Sequence, residues 1–342
     1  MQPKAALAEY GLDLVASERL PGASPRVLKV LTGDGAWLLK RSRITGPEIE
    51  FVHAAQEHLA ANGFAPLLRF ERTTTGRPYV RQGGDCLVLM PWVDAAPAGL
   101  RRRRELSAAV AKLTELHEAS AGFATPADAP ADRVLWGSWP TSFRARLDQL
   151  SVFKRLSLES DARTAFDRRY VGLLPYYWDQ SAVAIAMLVR TQYRRLMQFE
   201  RLRGSFCHHD LAHHNILFGP DDRVTLIDLD YCVADTRLHD IGSLIWRQCK
   251  RFEWDVRWFE LVVRYYNRHA QRPLSQAEIE VVGAFLHWPQ DFWQVGLQYY
   301  VERQPWPLSR FLSSLERKTA RRKERERFLA AVRRRYAPNL SF

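Results

Sequence analysis

Asp210, Asn215 and Asp228 are the residues of this chain whose types and spacing point most directly to chemistry. They stand in FCHHDLAHHNILFGPDDRVTLIDLD, which reads His208-x-Asp210-x-x-x-x-Asn215 and then Ile227-Asp228. Phosphoryl transfer needs a carboxylate that orients an attacking hydroxyl and accepts its proton. It also needs oxygen ligands that hold magnesium against nucleotide phosphates, with both sets on rigid neighbouring loops. Asp210 suits the first role, and Asn215 and Asp228 suit the second. RVTLID reads as a strand that delivers Asp228 at its end. Gly219-Pro220-Asp221-Asp222 is a turn that folds this strand back beside ILF, so a hairpin brings the two loops together.

Other readings of the same residues were weighed. His208, His209, His213 and His214 have the spacing of a metal cluster on one helix face, but the segment reads as a loop between apolar strands. Asp228 and Asp230 alone would read as a solvent-facing strand end, a reading that loses to the HxDxxxxN spacing thirteen residues upstream. Asp240 begins a helical stretch, where it either caps the helix or holds the backbone of the catalytic loop.

Further positions follow from what a nucleotide needs. Lys40 ends the strand AWLLK, where a lysine would meet the α- and β-phosphates. Its carboxylate partner should come from the helix 47–61, which offers Glu48, Glu50 and Glu57. Glu48 shares a stripe with Val52, Ala55 and Leu59 and is the favoured choice. In LVLMPWVDAA, Met90 to Val93 form an edge for a nucleotide base in a dry slot. Pro91 has no N–H, so Val93 is the better donor. The competing reading of this segment is a plain strand leading into a linker. A Gly-rich phosphate loop should precede Arg26, yet only Pro21-Gly22-Ala23-Ser24 is there, and the chain contains no GxGxxG.

The elements that must position these residues can be read in order. Residues 5–18 read as a short helix. RVLKVLTGDGAWLLKR is a hairpin turning at Gly33-Asp34-Gly35. A helix over 47–61 opens on Pro47 and stops at Asn62-Gly63. Two more strands, RPYVRQ and CLVLMPWV, complete a small sheet with one helix lying on it. Beyond Leu100 the pattern is mostly helical, with Leu106, Ala109, Val110, Leu113 and Leu116 on one stripe. Helical patterns at 141–157 and 160–202 precede a β-rich island at 205–233, and the chain is helical again after Asp240. The predicted fold class is α+β and bilobal, like a protein kinase. The small β-rich lobe spans 1–93, the hinge lies near 90–99, and a large helical lobe spans 100–342.

The bulk numbers agree with a folded two-lobe protein: 342 residues, 46% hydrophobic and 26% charged. The net charge of +12 favours anionic partners. Much of it lies in Arg101–Arg104 and in the tail ERKTARRKERERFLAAVRRRY. Acidic residues interrupt that tail and apolar ones recur at helical spacing, so a solvated helix face is expected and not a nucleic-acid arm. Cys86, Cys207, Cys232 and Cys249 contain no CxxC pair and read as reduced thiols. No apolar run reaches the roughly 18–20 residues of a membrane span. The N-terminus lacks the apolar segment of a signal peptide, so synthesis in the cytoplasm is expected.

With these segments in view, CHHDLAHHNIL followed by TLIDLDY resembles the aminoglycoside phosphotransferase and choline kinase superfamily. Within it the chain looks most like the CotS-like spore coat kinases of endospore-forming bacteria. The likeness extends through AWLLKRSR, EHLAANGF, LVLMPWVDAAPA, GSWPTSFRARLDQLSVFK, LHDIGSLIW and FLHWPQDFWQVGLQYY. The resemblance implies a two-lobed kinase-like fold, Asp210 as catalytic base and Asn215 and Asp228 as magnesium ligands. It implies ATP and Mg2+ as cofactors, an unidentified hydroxyl acceptor on a small molecule or coat protein, and deposition in the spore coat among other coat proteins. A structural coat component with little turnover is the alternative. An Arg-rich helical lobe argues against a cationic aminoglycoside acceptor. The acceptor pocket is expected near 141–200 and 285–300, where Trp136, Trp139, Trp288 and Trp293 are either lining or core.

Overall fold

The computed structural model describes residues 1–20, 24–159 and 163–340. The stretch Pro21–Ala23, where a phosphate loop was sought, lies outside the described residues. By contact the chain forms two compact units. The first comprises Met1–Leu135, Glu200–Asp240 and Arg268–Gln271, and the second Trp136–Phe199, Ile241–Asn267 and Arg272–Phe342. This grouping differs from the lobes expected from sequence, because residues 200–240 cluster with the small sheet.

The first unit begins with α1 (Pro3–Ala8) and strands β1 (Ala16–Arg19), β2 (Val27–Thr32) and β3 (Gly35–Arg41). Helix α2 (Gly46–Ala61), strands β4 (Val80–Gln82), β5 (Asp85–Pro91) and β6 (Ala96–Pro97), and helix α3 (Arg103–Ala119) follow. The first sheet is antiparallel, in the order β1-β2-β3-β5-β4. Its centre is the predicted hairpin, in which Thr32 faces Gly35 across Gly33-Asp34. Gly35 holds φ +126°, a conformation open to glycine at low cost.

Register decides what each face of the sheet does. Lys40 stands opposite Val27 on one side and Val88 on the other, and Leu38 stands opposite Met90. Strand side chains alternate between faces, so Leu38 and Lys40 share one face and Leu39 takes the other. Leu39 is fully buried with Val30, Leu87 and Leu89, and Ala6 and Leu7 of α1 close that core. Full burial of one such side chain contributes about 1.5–3 kcal/mol.

The sequence reading of residues 5–18 as one helix is corrected here. The helix stops at Ala8, Gly11 takes φ +72°, and Ala16–Arg19 add an edge strand to the sheet. The helix on the sheet is therefore α1. Helix α2 packs against α3 and the short 3-10 turn Leu229–Tyr231. It buries Ile49, Phe51, Val52, Ala55 and Leu59.

The chain after β5 leaves the first sheet and enters a second one, ordered β6-β7-β8, with β7 at Ile216–Phe218 and β8 at Val224–Leu226. The β7–β8 hairpin is the one expected from the motif. It turns at Gly219–Asp222, with the Gly219 N–H donating to Arg223 at 2.9 Å.

The second unit is helical. It contains α4 (Trp139–Glu159), α5 (Ala165–Arg190), most of α6 (Tyr193–Arg203) and of α7 (Leu238–Phe252), α8 (Val256–His269), α9 (Gln276–His287) and α10 (Gln290–Gly296). Helices α11 (Leu308–Thr319) and α12 (Arg322–Tyr336) complete it. Its core joins Leu150 and Phe153 of α4, Phe166 and Tyr170 of α5, Phe292 of α10 and Leu315 of α11. Tyr170 stacks on Phe292 with ring centroids 4.3 Å apart. The basic tail is α12, which buries Phe328, Leu329 and Val332 together with one charged residue, Arg325, and leaves its other charges at least partly exposed. No helix among the described residues is long and apolar enough to cross a membrane.

Candidate active site

The catalytic loop is built on one buried acid. Asp240, in the first turn of α7, accepts the backbone N–H of His208 at 2.7 Å and of His209 at 2.8 Å. It also accepts from His117 Nε2 at 3.1 Å. Burial disfavours charge on Asp240, but the hydrogen bond from His117 and the His239 ring 3.6 Å away outweigh it and hold the carboxyl well below its usual range. His117 is itself pushed down by burial and donates as a neutral imidazole. Of the two roles read for Asp240, it takes that of loop anchor. His209 takes φ +67°, a left-handed conformation costly for a residue with a Cβ, and the Asp240 bonds hold it there.

The loop is then tied to the end of β8. His208 is fully buried; its Nε2–H donates to the Ile227 carbonyl at 2.9 Å, and its Nδ1 accepts from the Asp210 N–H at 3.4 Å. Asn215 donates through its side-chain amide to the Asp210 carbonyl at 2.9 Å, and its own carbonyl accepts the Ile227 N–H at 3.0 Å. The hairpin pairs Ile216 with Leu226, which sets Asn215 beside Ile227 and one residue from Asp228. Asp210, Asn215 and Asp228 are thus gathered by the motif as expected. Asp228 takes φ +64°, so the chain turns sharply as it leaves the strand.

The four histidines do not gather. His209 stacks on His239 at 3.8 Å, and His213 and His214 meet edge-on at 5.3 Å. His208 ties the loop to the end of β8, and His214 lines the cleft.

Lys40 reaches this corner from β3. Its Nζ donates to Asp228 and, at 2.9 Å, to Asp230. Burial lowers the lysine pKa, but Asp230 and Asp228 more than reverse it, so the ammonium stays charged. Burial also acts on both carboxyls. For Asp228 the lysine wins and the pKa falls; for Asp230 burial and the neighbouring Asp228 win and the pKa rises. Asp230 is only 5% exposed, in keeping with the rejection of a solvent-facing strand end.

The expected Lys40–Glu48 pair is not formed. Glu48 accepts the Thr45 N–H at 2.6 Å and the Thr45 hydroxyl at 2.8 Å, closing a capping box at the start of α2. Its other oxygen takes Arg133 at 2.8 Å. Burial opposes its ionisation, yet the Thr45 and Arg133 hydrogen bonds hold its pKa below the usual value. Arg133 is 4% exposed and also donates to the carbonyls of Asp230 and Cys232, at 2.6 and 3.2 Å. So Glu48 supports the turn that carries Asp230, one step removed from the lysine.

Lys40, Asp228 and Asp230 stand in the wall of a cavity of about 700 Å³. Its apolar sides include Val27, Leu38 and Met90 from the sheet, and Leu217 and Leu226 from the hairpin. Trp92 and Val93 continue the edge after β5. Met90 and Val93 therefore line the same cleft as Lys40 and Asp228, and Glu48 does not. A volume in the range of 300–1,000 Å³ with a few convergent charges is the usual form of a small-molecule site. Asn215 spends its amide nitrogen on the loop, which leaves oxygen as the donor it can offer beside the carboxylate of Asp228. Hard oxygen donors of this kind fit Mg2+.

The match to the APH phosphotransferase enzyme family runs over residues 16–278. The chain belongs to that family. It is 27% identical over 206 residues to YutH, an endospore coat-associated protein of Bacillus subtilis strain 168. That alignment takes in 60% of this chain and 48% of the relative, so it spans about half of the relative's length. In structure the phosphotransferase chain is similar to an aminoglycoside phosphotransferase from Alicyclobacillus acidocaldarius, with a TM-score of 0.79 at 22% identity over 98% of this chain and 96% of that one. It is also similar to a spectinomycin phosphotransferase solved with ADP and spectinomycin, with a TM-score of 0.66 at 12% identity over 95% of each chain. These likenesses establish the kinase-like fold, with a small antiparallel sheet and a large helical part.

Two site residues escaped the sequence reading as functional positions. Asp230 was not among the expected site residues, although LIDLD already placed two acids around one apolar residue. Arg133 carried no local signal, since only the fold brings it to Glu48 and to the Asp230 carbonyl. Of the tryptophans weighed as pocket lining, Trp139 and Trp288 are core: they are 5% and 3% exposed and stack near Phe143.

Proposed function

We propose that the chain is a Mg-ATP-dependent phosphotransferase that moves the γ-phosphate to a hydroxyl acceptor. The single observation that carries this reading is the network joining Asp210, Asn215 and the end of β8, beside a cleft in which Lys40 stands against Asp228. Asp210 is the base that orients the acceptor hydroxyl and takes its proton. Its backbone is fixed from both sides, by His208 and Asn215, so the carboxylate is presented from a rigid loop. Asn215 and Asp228 are the magnesium ligands; the ion, when bound, neutralises charge on the phosphates. Lys40 meets the phosphates, and Met90 to Val93 receive the base. The lobes of the enzyme are 1–93 and 100–342, with the hinge at 90–99.

A second reading follows from a separate observation. Lys40 is held by two acids of the same turn and not by a helix glutamate, an arrangement that also suits a stable fold with little turnover. The likeness to an endospore coat-associated protein fits either reading, and we place the chain with the spore coat on that basis. The basic character of the helical part supports an acceptor that is not a cationic aminoglycoside.

Thermal denaturation with and without Mg-ATP separates the readings. The wild type should be stabilised by Mg-ATP and not by ATP with a chelator. Asp228→Ala should lose the magnesium-dependent part. A wild type that shows no magnesium-dependent shift would remove the enzyme reading.

A further inference from the structure

The second unit contains a cavity of about 240 Å³ that the reaction above does not use. Lys250 of α7 and Lys318 of α11 converge there on one carboxylate, Asp291 of α10, and Arg325 of α12 lines the same cavity. Lys250 reaches Asp291 at 2.8 Å and Lys318 at 3.6 Å. Arg317, Arg321 and Arg322 stand at the same cavity. Three inner cations against one anion leave two positive charges unbalanced; of the outer arginines, Arg322 is paired with Glu326 at 3.6 Å.

These charges are not simply a wet surface. The Lys318 side chain is 12% exposed and that of Asp291 15%. Arg325 is 8% exposed. Its Nη2 donates to the backbone carbonyls of His287 and Leu286 at 2.8 and 3.2 Å. Its Nη1 is buried with no hydrogen-bond partner within bonding geometry among the described residues, the Tyr176 hydroxyl lying near the guanidinium. A buried cationic donor left unpaired is costly, and an anion in the cavity would satisfy it. Burial depresses the Lys318 pKa; Asp291 opposes this and Lys250 adds to it. Beside the charges lies a flat apolar wall. Trp246 and Trp254 line the cavity, and Lys250 sits 4.6 Å over the Trp246 ring.

We infer that this cavity binds a small phosphorylated ligand, its phosphate toward Lys250, Lys318 and Arg325 and a flat apolar part against the two tryptophans. The volume suits a ligand smaller than a drug-sized molecule, a phosphate monoester with one ring. Phosphate is preferred over a lone carboxylate because it accepts several charge-assisted bonds at once and carries close to two charges.

Calorimetric titration of the full chain with phenyl phosphate tests this, with phenol and inorganic phosphate as partial probes. Phenyl phosphate should bind more tightly than inorganic phosphate, and phenol should not bind. Lys250→Gln, at a side chain 38% exposed and so open to substitution, should weaken binding about tenfold, as should Lys318→Gln. Both should keep the Mg-ATP thermal shift, which shows that they are folded. Asp228→Ala should bind phenyl phosphate like the wild type. Absence of binding, wild-type affinity in both lysine variants, or loss of binding in Asp228→Ala would each overturn the inference; the last would move the anion to the nucleotide cleft.

Discussion

At Asp210 the backbone N–H and carbonyl are both engaged, by His208 and Asn215. Replacing the carboxylate by an amide of the same shape keeps those bonds and removes the proposed base. Asp210→Asn should therefore lower acceptor-independent ATP hydrolysis by about 10²–10⁴-fold in a product-release assay, while the Mg-ATP thermal shift persists. At Glu48 the expectation is the reverse. Its carboxylate serves the Thr45 cap and Arg133, so Glu48→Gln should cost about 1–2 kcal/mol in urea denaturation and leave the KM for ATP nearly unchanged. A large rise in that KM would return Glu48 to the lysine. The sequence held the means to decide this, because Thr45-Gly46-Pro47-Glu48 is the S/T-x-x-E pattern of a capping box. The stripe shared with Val52 and Leu59 pointed inward correctly but said nothing of which cation waits there. Arg133 lies 85 residues away along the chain, and only the fold supplies it.

At the scale of elements, Asp240 links the first turn of α7 to the catalytic loop. Asp240→Ala would leave two buried N–H groups and His117 without their acceptor. At about 1–3 kcal/mol for each orphaned group, the variant should be destabilised by several kcal/mol, read as a lowered urea midpoint. Packing between helices can be probed apart from the site. A Cβ at Gly296 in α10 would come within 2.6 Å of the Phe153 ring and closer still to the Tyr170 hydroxyl. Gly296→Ala should cost about 1–3 kcal/mol by overpacking, measured as a lower melting temperature with the Mg-ATP increment retained. Elements defined by local rules were legible: the two hairpins by their turns, α2 by Pro47 and Asn62-Gly63, and α12 by its interrupted charges. β1 was not, since every residue of Ala16–Arg19 is exposed and an edge strand of that kind carries no alternation to read. The break between α5 and α6 at Thr191-Gln192 was also hidden, because the apolar residues continue on both sides of it.

For the whole molecule, acid stability should be set in part by His287. Burial holds its pKa at about 4, against 6.5 in an exposed histidine. The native state thus binds fewer protons than the unfolded one between those values. Stability is full above about 6.5 and is lost as pH falls toward 4, by up to about 3 kcal/mol from this group. A neutral replacement, His287→Gln, should flatten that part of a melting temperature against pH curve. A slope equal to the wild type's would mean other groups carry it. What composition and motif showed for the whole chain was its class: α+β, with the motif past the middle. How the contacts divide it was not legible, because residues 200–240 cluster with a sheet they are far from in sequence. One consequence follows from the Lys40 contacts with Asp228 and Asp230. The cleft supplies its own counter-ion. A divalent cation approaching alone must compete with a lysine already seated on its ligand, whereas phosphates offer that lysine another anion to follow. On the proposed function, metal and nucleotide should then load as a pair, each a poor ligand without the other.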